Sequence, residues 1–419
     1  IGVWAQIILC LLRFGQGLGL GGEWGGAALL ATENAPKGKR AWFGMFPQLG
    51  PSIGFLAANG LFLTLAMTLD DEQFRSWGWR IPFLLSAALV MVGLYVRLKL
   101  HETPVFANAI ARQERVKVPL VELFSQYWAP TLLGAAAMVV CYALFYISTV
   151  FSLSYGVSTL GYSRETFLGL LCFAVLFMAA ATPLSAWASD RYGRKPVLML
   201  GLLLATALYF PIFKSLAHYA NPAIDQASRQ APITVLADPA TCSFQFDPVG
   251  KAKFDSPCDK VKTFLVKQGL PYSSVSVAGS EVVVNIGDKT INGFDETAMR
   301  TAIEQAGYPA KADPAQVNQV MVVVLIVAMI LIATMTYGPL AAVMVELFPT
   351  RIRYTSMSLP YHIGNGWFGG FLPTVSFALV VYTGDIFYGL WYPVLVTGIS
   401  LVVGIFCLKE TKDVDIDKV

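Results

Sequence analysis

Arg13, Gln16 and Glu23 carry polar chemistry within an otherwise apolar stretch, residues 3–31. At about 100° per residue they share a helical arc of roughly 80°. An arginine ten residues into such a stretch needs a partner or a hydrated pathway, because a charge at bilayer mid-depth is costly. The arc predicts a face that lines a hydrated pathway. The competing reading of Arg13 is an ion pair that only holds helices together, and Glu23 reads equally as a gate contact. Uncharged polar residues recur on other helical faces: Gln48 and Asn59 with Ser52, Tyr142 and Tyr146 with Thr149, and Tyr361 and Asn365 with Phe368. Such hydrogen-bonding groups suit a small polar solute, although each taken singly reads as an interhelical contact. His362 is offset from its neighbours by about 100°. It could titrate near neutral pH, but packing is the stronger reading.

A second group, Asp190, Arg191, Gly193, Arg194, Glu346 and Arg351, falls at the ends of apolar segments. Its charges predict ion pairs that close a cytoplasmic gate, against a plain reading as solvated loop charges. Seven glycines between Gly15 and Gly26 (Gly15, Gly17, Gly19, Gly21, Gly22, Gly25 and Gly26) are read as close helix packing. A phosphate loop would need a preceding strand and a following Lys–Ser/Thr. The sequence offers no Ser/His/Asp set, paired catalytic carboxylates or metal-ligand cluster, so no enzyme, metal or cofactor is expected.

The elements that must position these residues are membrane helices. Of 419 residues, 55% are hydrophobic and only 14% charged, with a mean hydropathy of +0.58. A soluble domain carries about a quarter charged residues, which disfavours a soluble enzyme, a disordered chain or a nucleic-acid binder. Segments long enough to span a bilayer lie near 3–31, 42–67, 80–98, 129–153, 166–188, 196–217, 318–345, 355–380 and 386–408. Loops on one side, with the C-terminal tail, hold sixteen Lys/Arg, including Lys37, Lys39, Arg40, Arg112, Arg115, Arg353 and Lys418. Short loops opposite hold only Arg75, Arg80 and Arg164. The positive-inside rule therefore places the C-terminus in the cytoplasm and Ile1 outside. The chain opens inside an apolar run with no initiator Met, and is read as a fragment lacking its N-terminal part.

Residues 218–317 are polar, with nine Lys/Arg and eleven Asp/Glu, and fall on the outer side. Ser256-Pro257 starts a helix that Gly269 ends, residues 281–286 form a strand that turns at Gly287-Asp288 onto 289–291, and 295–305 forms a helix stopped by Gly307. The expectation is a small αββα module; a disordered loop is the alternative. Cys242 and Cys258 are the only thiols there, and an oxidising compartment favours a disulfide over a metal site. Cys10, Cys141, Cys172 and Cys407 read as packing residues.

The loop from Ala186 to Lys195 (AWASDRYGRK) resembles the GxxxDRxGRK loop of the major facilitator superfamily, with Ala186 in place of the leading Gly. Arg13–Gly19 (RFGQGLG) is similar to the family's RxxQGxG motif. Residues 19–40, FPQLG (46–50), SWGWRIPFLLS (76–86), HETPVF (101–106) and 346–370 look like the metabolite:proton symporter branch, which carries proline and betaine, citrate, 2-oxoglutarate and shikimate. The resemblance covers all but the insert and aligns the nine spans with family helices four to twelve. It implies an all-α membrane bundle, nine of twelve helices, with a small α/β extracytoplasmic insert. The expected division is 1–99 for the N-terminal half, 100–128 for a cytoplasmic linker, 129–217 and 318–408 for the C-terminal half, 218–317 for the insert and 409–419 for the tail. The resemblance further implies proton-coupled symport by a monomer in a bacterial cytoplasmic membrane, with a small carboxylate or zwitterion, protons and the lipid bilayer as partners and no nucleic acid. It gives Arg13 the coupling role. A membrane-anchored sensor using the insert and a non-transporting relic are the alternatives.

Overall fold

The computed structural model describes residues 3–21, 23–99, 103–112, 116–247, 252–309 and 316–416. Ile1, Gly22, Arg115 and Lys418, and His101 and Glu102 of HETPVF, lie outside them. Among the described residues nine helical segments are long and apolar enough to cross a membrane: Val3–Glu33, Arg40–Thr68, Gly78–Lys99, Trp128–Val157, Arg164–Tyr192, Arg194–Ala220, Gln319–Leu347, Arg353–Thr383 and Tyr388–Cys407. They are called the first to ninth spans below. Seven contain their predicted segment and extend beyond it, because charged and capping residues at helix ends continue the backbone ladder past the apolar stretch; Gln319–Leu347 begins one residue later than expected and Tyr388–Cys407 falls inside its expected segment.

Spans four to nine form the buried core, where Phe151, Tyr209, Phe213, Met329, Tyr337 and Met344 are enclosed. Helix irregularities sit where spans must come close. Gly338-Pro339 divides the seventh span into Gln319–Tyr337 and Leu340–Leu347. The fourth and eighth spans each contain a π-helical stretch, Ile147–Phe151 and Ile363–Gly369, a wide turn often found at functional sites. Gly364 lies against the fourth span so closely that a Cβ there would come within 2.6 Å of the Met138 carbonyl carbon. The first and second spans meet this core along one seam: the second packs against the fifth, and Glu23–Glu33 against Arg353–His362. The ionic contacts across the seam lie toward the ends marked by Glu33, Arg40, Asp190, Glu346 and Arg353.

The αββα expectation for the insert is corrected: the module is folded and holds four strands. β1 (Ile233–Ala237), β2 (Ser273–Ser276), β3 (Val283–Ile286) and β4 (Lys289–Asn292) form one sheet in the order β2-β1-β3-β4. β1 runs parallel to β2 and antiparallel to β3, and helix Pro257–Lys267 makes the crossover between β1 and β2. β1 is short and follows directly on helix Pro222–Gln230. β2 is three serines and one valine, all of them exposed, so only pairing with β1 makes it a strand. Both expected helices are present, capped by Ser256 and Asp295, whose side chains accept from Asp259 N and Ala298 N at 3.0 Å each. Gly269 and Gly307 follow them with φ of +69° and +80°, the left-handed conformation that ends a helix.

The insert is seated on the membrane bundle. Tyr272 N donates to Gly384 O (3.1 Å), Tyr272 Oη donates to Val381 O, and Lys262 Nζ donates to Tyr382 O (3.2 Å). These donors satisfy carbonyls at the end of the eighth span, where a cation also suits the helix dipole. A disulfide joins Cys242 to Cys258 with Cα atoms 5.3 Å apart. It ties the strap 242–247 to helix Pro257–Lys267, and Phe244 of that strap meets the Tyr382 ring edge-on at 5.8 Å.

Candidate functional site

Two layers hold the halves together at the seam. The inner layer is aromatic and amide. Trp24 stacks on Tyr361 across the seam, ring centroids 4.6 Å apart. Its Nε1–H donates to Gln48 Oε1 (3.0 Å), and Gln48 Nε2 donates to Tyr337 O (3.1 Å). Both bonds are buried, so they exchange water for fixed partners at a depth where an unmet amide would be costly. Tyr142 presents ring edges to Tyr361 at 5.4 Å and Tyr337 at 6.1 Å. Tyr146 Oη donates to Asn365 Oδ1 (3.2 Å), and Asn365 Nδ2 donates to Tyr361 Oη (3.4 Å). Five spans thus contribute to one cluster, which hydrogen-bonding groups and π-faces line together.

The outer layer is ionic. Arg194, almost fully buried, donates Nη1 to Asp190 Oδ1 (2.6 Å) and both Nε and Nη2 to Glu346 (3.2 and 3.1 Å). Asp190 also accepts from the backbone N–H groups of Ala41 (3.0 Å) and Trp42 (2.8 Å), the start of the second span. That is a carboxylate at a helix N-terminus, where the dipole favours it. Arg40 adds a 3.5 Å contact to Glu346, and Thr411 Oγ1 donates to the same carboxylate at 2.7 Å. Arg353, also buried, pairs with Glu33 across the seam at 2.7 Å. Arg351 instead pairs with Glu122, on helix Pro119–Gln126, at 2.7 Å. The tail returns across this layer: Arg40 donates to Val414 O and Arg353 Nη2 to Ile416 O (2.8 Å). Glu410 caps the sixth span, accepting from Arg194 N (2.8 Å) and Lys195 N (3.0 Å). Partial burial opposes its charge, but these backbone donors win and hold its carboxyl below the ordinary glutamate range. Gly193 links the fifth and sixth spans at φ +116°, and a Cβ there would lie 2.5 Å from the Glu410 carboxylate. Only glycine makes this turn without strain.

The structure gathers Gln48, Tyr142, Tyr146, Tyr361 and Asn365 into one cluster, and Asp190, Arg194 and Glu346 into one ion network. Arg13 is exposed and donates to Gln16 (3.0 Å), and Glu23 pairs with Arg97 at 3.2 Å, also exposed. Neither reaches the aromatic cluster. Asn59 bonds its own helix at Phe55 O (3.0 Å). His362 Nε2 donates to Gly21 O (3.2 Å), a packing contact between the first and eighth spans. Arg191 stands apart from the ion network, its guanidinium over the Trp187 and Tyr192 rings. Sequence reasoning missed Trp24, Tyr337, Glu33, Glu410 and the network roles of Arg40 and Arg353. The two arginines counted only as loop cations; their distance from the apolar boundary was the available signal. For Glu33 and Glu410, hundreds of residues from their partners, no sequence signal existed.

The model of the sugar (and other) transporter family matches residues 2–120, 109–235 and 297–419. The chain is 33% identical over 424 residues to a putative metabolite transport protein of Haemophilus influenzae, an alignment covering 100% of this chain and 75% of that one. It is 48% identical over 228 residues to the inner membrane metabolite transport protein YhjE of Escherichia coli, covering 53% of this chain and 51% of that one. The chain therefore spans about half the length of YhjE in that alignment. The solved structure of the major facilitator superfamily proton:xylose symporter XylE, bound to 6-bromo-6-deoxy-D-glucose, superposes with a TM-score of 0.52 at 14% identity, covering 93% of this chain and 69% of that one. That likeness concerns the fold. With nine candidate spans, a seam between two groups of helices and a family model matched over most of its length, this multi-pass membrane chain belongs to the sugar (and other) transporter family.

Proposed function

We propose that the protein is a transporter, not an enzyme, that moves a small carboxylate or zwitterion together with protons by alternating access. The observation that carries this reading is the two-layered closure of the seam at one end. The Trp24–Tyr361 stack and the Asp190–Arg194–Glu346–Arg40 network join the two groups of helices there. A seam locked by discrete, reversible contacts suits a molecule with two packed arrangements. In the proposed orientation that end is cytoplasmic, the insert is periplasmic and the membrane is the bacterial cytoplasmic one. Residues 1–99 act as one moving body and 129–217 with 318–408 as the other, joined by the 100–128 linker. The solute site lies above the Trp24–Tyr361 floor, among Tyr142, Tyr146 and Asn365. Arg13, with Gln16, is the proposed coupling group, and its guanidinium favours an anionic or zwitterionic solute.

The test is uptake by cells producing the protein, with mono-, di- and tricarboxylates and betaines supplied under an imposed pH gradient. Gradient-dependent accumulation of one class is expected. Accumulation unaffected by collapsing the gradient would remove the proton from the proposal, and no flux of any solute would remove transport.

A further inference from the structure

A cleft of about 510 Å³ opens beside the ion network, lined by Gly38, Lys39, Trp42, Trp187, Asp190 and Arg191. One wall belongs to the start of the second span and the other to the end of the fifth, so the cleft straddles the seam. Its charge is unbalanced. Asp190 is already engaged by Arg194 and by the N–H groups of Ala41 and Trp42. Among the described residues neither Lys39 nor Arg191 pairs with a carboxylate. The Arg191 guanidinium lies 5.6 Å from the Trp187 centroid and 5.8 Å from that of Tyr192, a stack that orients its donor fork without neutralising it. Trp42, Trp187 and Tyr192 are all exposed at span ends, the position where amphipathic rings sit at headgroup level.

Two uncompensated cations between exposed indoles at headgroup depth match one ligand chemistry: a phosphodiester whose acyl chains remain in the leaflet. We propose that this cleft seats the phosphate of an anionic phospholipid between Lys39 and Arg191, and that the bound headgroup ties the two halves together beside the gate. Arg191 can meet phosphate oxygens with two parallel N–H donors, and Lys39 acts as a point charge opposite. The gate consequence rests on the alternating-access reading; the binding does not.

The binding test uses the purified chain in phosphatidylcholine nanodiscs with and without phosphatidylglycerol, followed by native mass spectrometry of the released protein. Phosphatidylglycerol is expected to stay bound. The double variant Lys39→Gln, Arg191→Gln should lose about tenfold in apparent affinity, as two headgroup contacts are removed. The exchange Lys39→Arg, Arg191→Lys keeps both charges and should retain most of the binding, which separates charge from misfolding. Equal retention by the wild type and the Gln variant would overturn the site. Displacement by soluble glycerophosphate would overturn the lipid as its source. For the gate, hydrogen exchange at the Ala41 and Trp42 amides should slow when phosphatidylglycerol is present, in the wild type and not in the Gln variant. Unchanged exchange with lipid bound would overturn the tie between halves. No solute enters either measurement, so both can fail or succeed apart from the uptake screen.

Discussion

Single side chains carry the two roles most open to measurement. Arg13 is the proposed coupling residue, and Arg13→Ala should abolish gradient-driven uptake in a correctly inserted protein. Arg13→Lys should restore little, because an ammonium cannot reproduce the planar fork that now meets Gln16. Uptake at the wild-type level with Ala would reassign Arg13 to helix packing. Glu346 is different in kind, a buried acceptor for Arg194, Arg40 and Thr411. Removing one partner of a buried pair costs about 3–5 kcal/mol because the other charge is stranded. Glu346→Gln should therefore weaken the closed seam. Ala342→Cys, fully enclosed at that seam beside Ala41, Met45 and Ala186, provides the readout. A thiol reagent added from the cytoplasmic side should label it faster in the Glu346→Gln background than alone, and equal rates would mean the network does not hold the gate.

At the scale of elements, the insert is a folded module clamped to the eighth span. The Cys242–Cys258 bridge closes a loop of about 15 residues, worth about 3 kcal/mol on the chain-entropy model. Cys242→Ser should lower the insert's protection from proteolysis while uptake persists, since no member of the aromatic cluster touches the strap. Collapse of uptake in an inserted mutant would bring the insert into the transport cycle. The seat itself has a sharper probe. Gly384 has φ +82°, and a Cβ there would come within 2.2 Å of Tyr272 O. Gly384→Ala should unseat the module and speed its cleavage by a soluble protease, leaving the disulfide intact; an unchanged cleavage rate would show that the Tyr272 contact is dispensable.

Across the whole molecule, the charge asymmetry sets a topology that intact cells can test. A membrane-impermeant protease should cut within 218–317 and spare the tail near Lys412; cleavage of the tail alone would invert the orientation. The spans were legible in the sequence because a bilayer imposes one requirement, about 20 apolar residues with backbone groups bonded within the helix, and that requirement is local. The caps at Ser256 and Asp295 and the stops at Gly269 and Gly307 were legible for the same reason. β2 was not, because three serines become a strand only beside β1. The polar faces carrying Gln48, Tyr142, Tyr361 and Asn365 were visible as faces. Their convergence, and the entry of Trp24 and Tyr337 among them, required the seam to bring the first, second, fourth, seventh and eighth spans together. The gate shows the division most plainly. Charges at span ends follow from membrane insertion alone, so the sequence determines that Asp190, Arg194 and Glu346 lie at one surface. Which cation each carboxylate takes depends on distances of a few ångströms between helices hundreds of residues apart, and Coulomb energy between such groups changes steeply with separation and burial. Only the tertiary structure could give Glu33 to Arg353, Glu122 to Arg351 and Glu346 to Arg194, and leave Arg191 over its tryptophan.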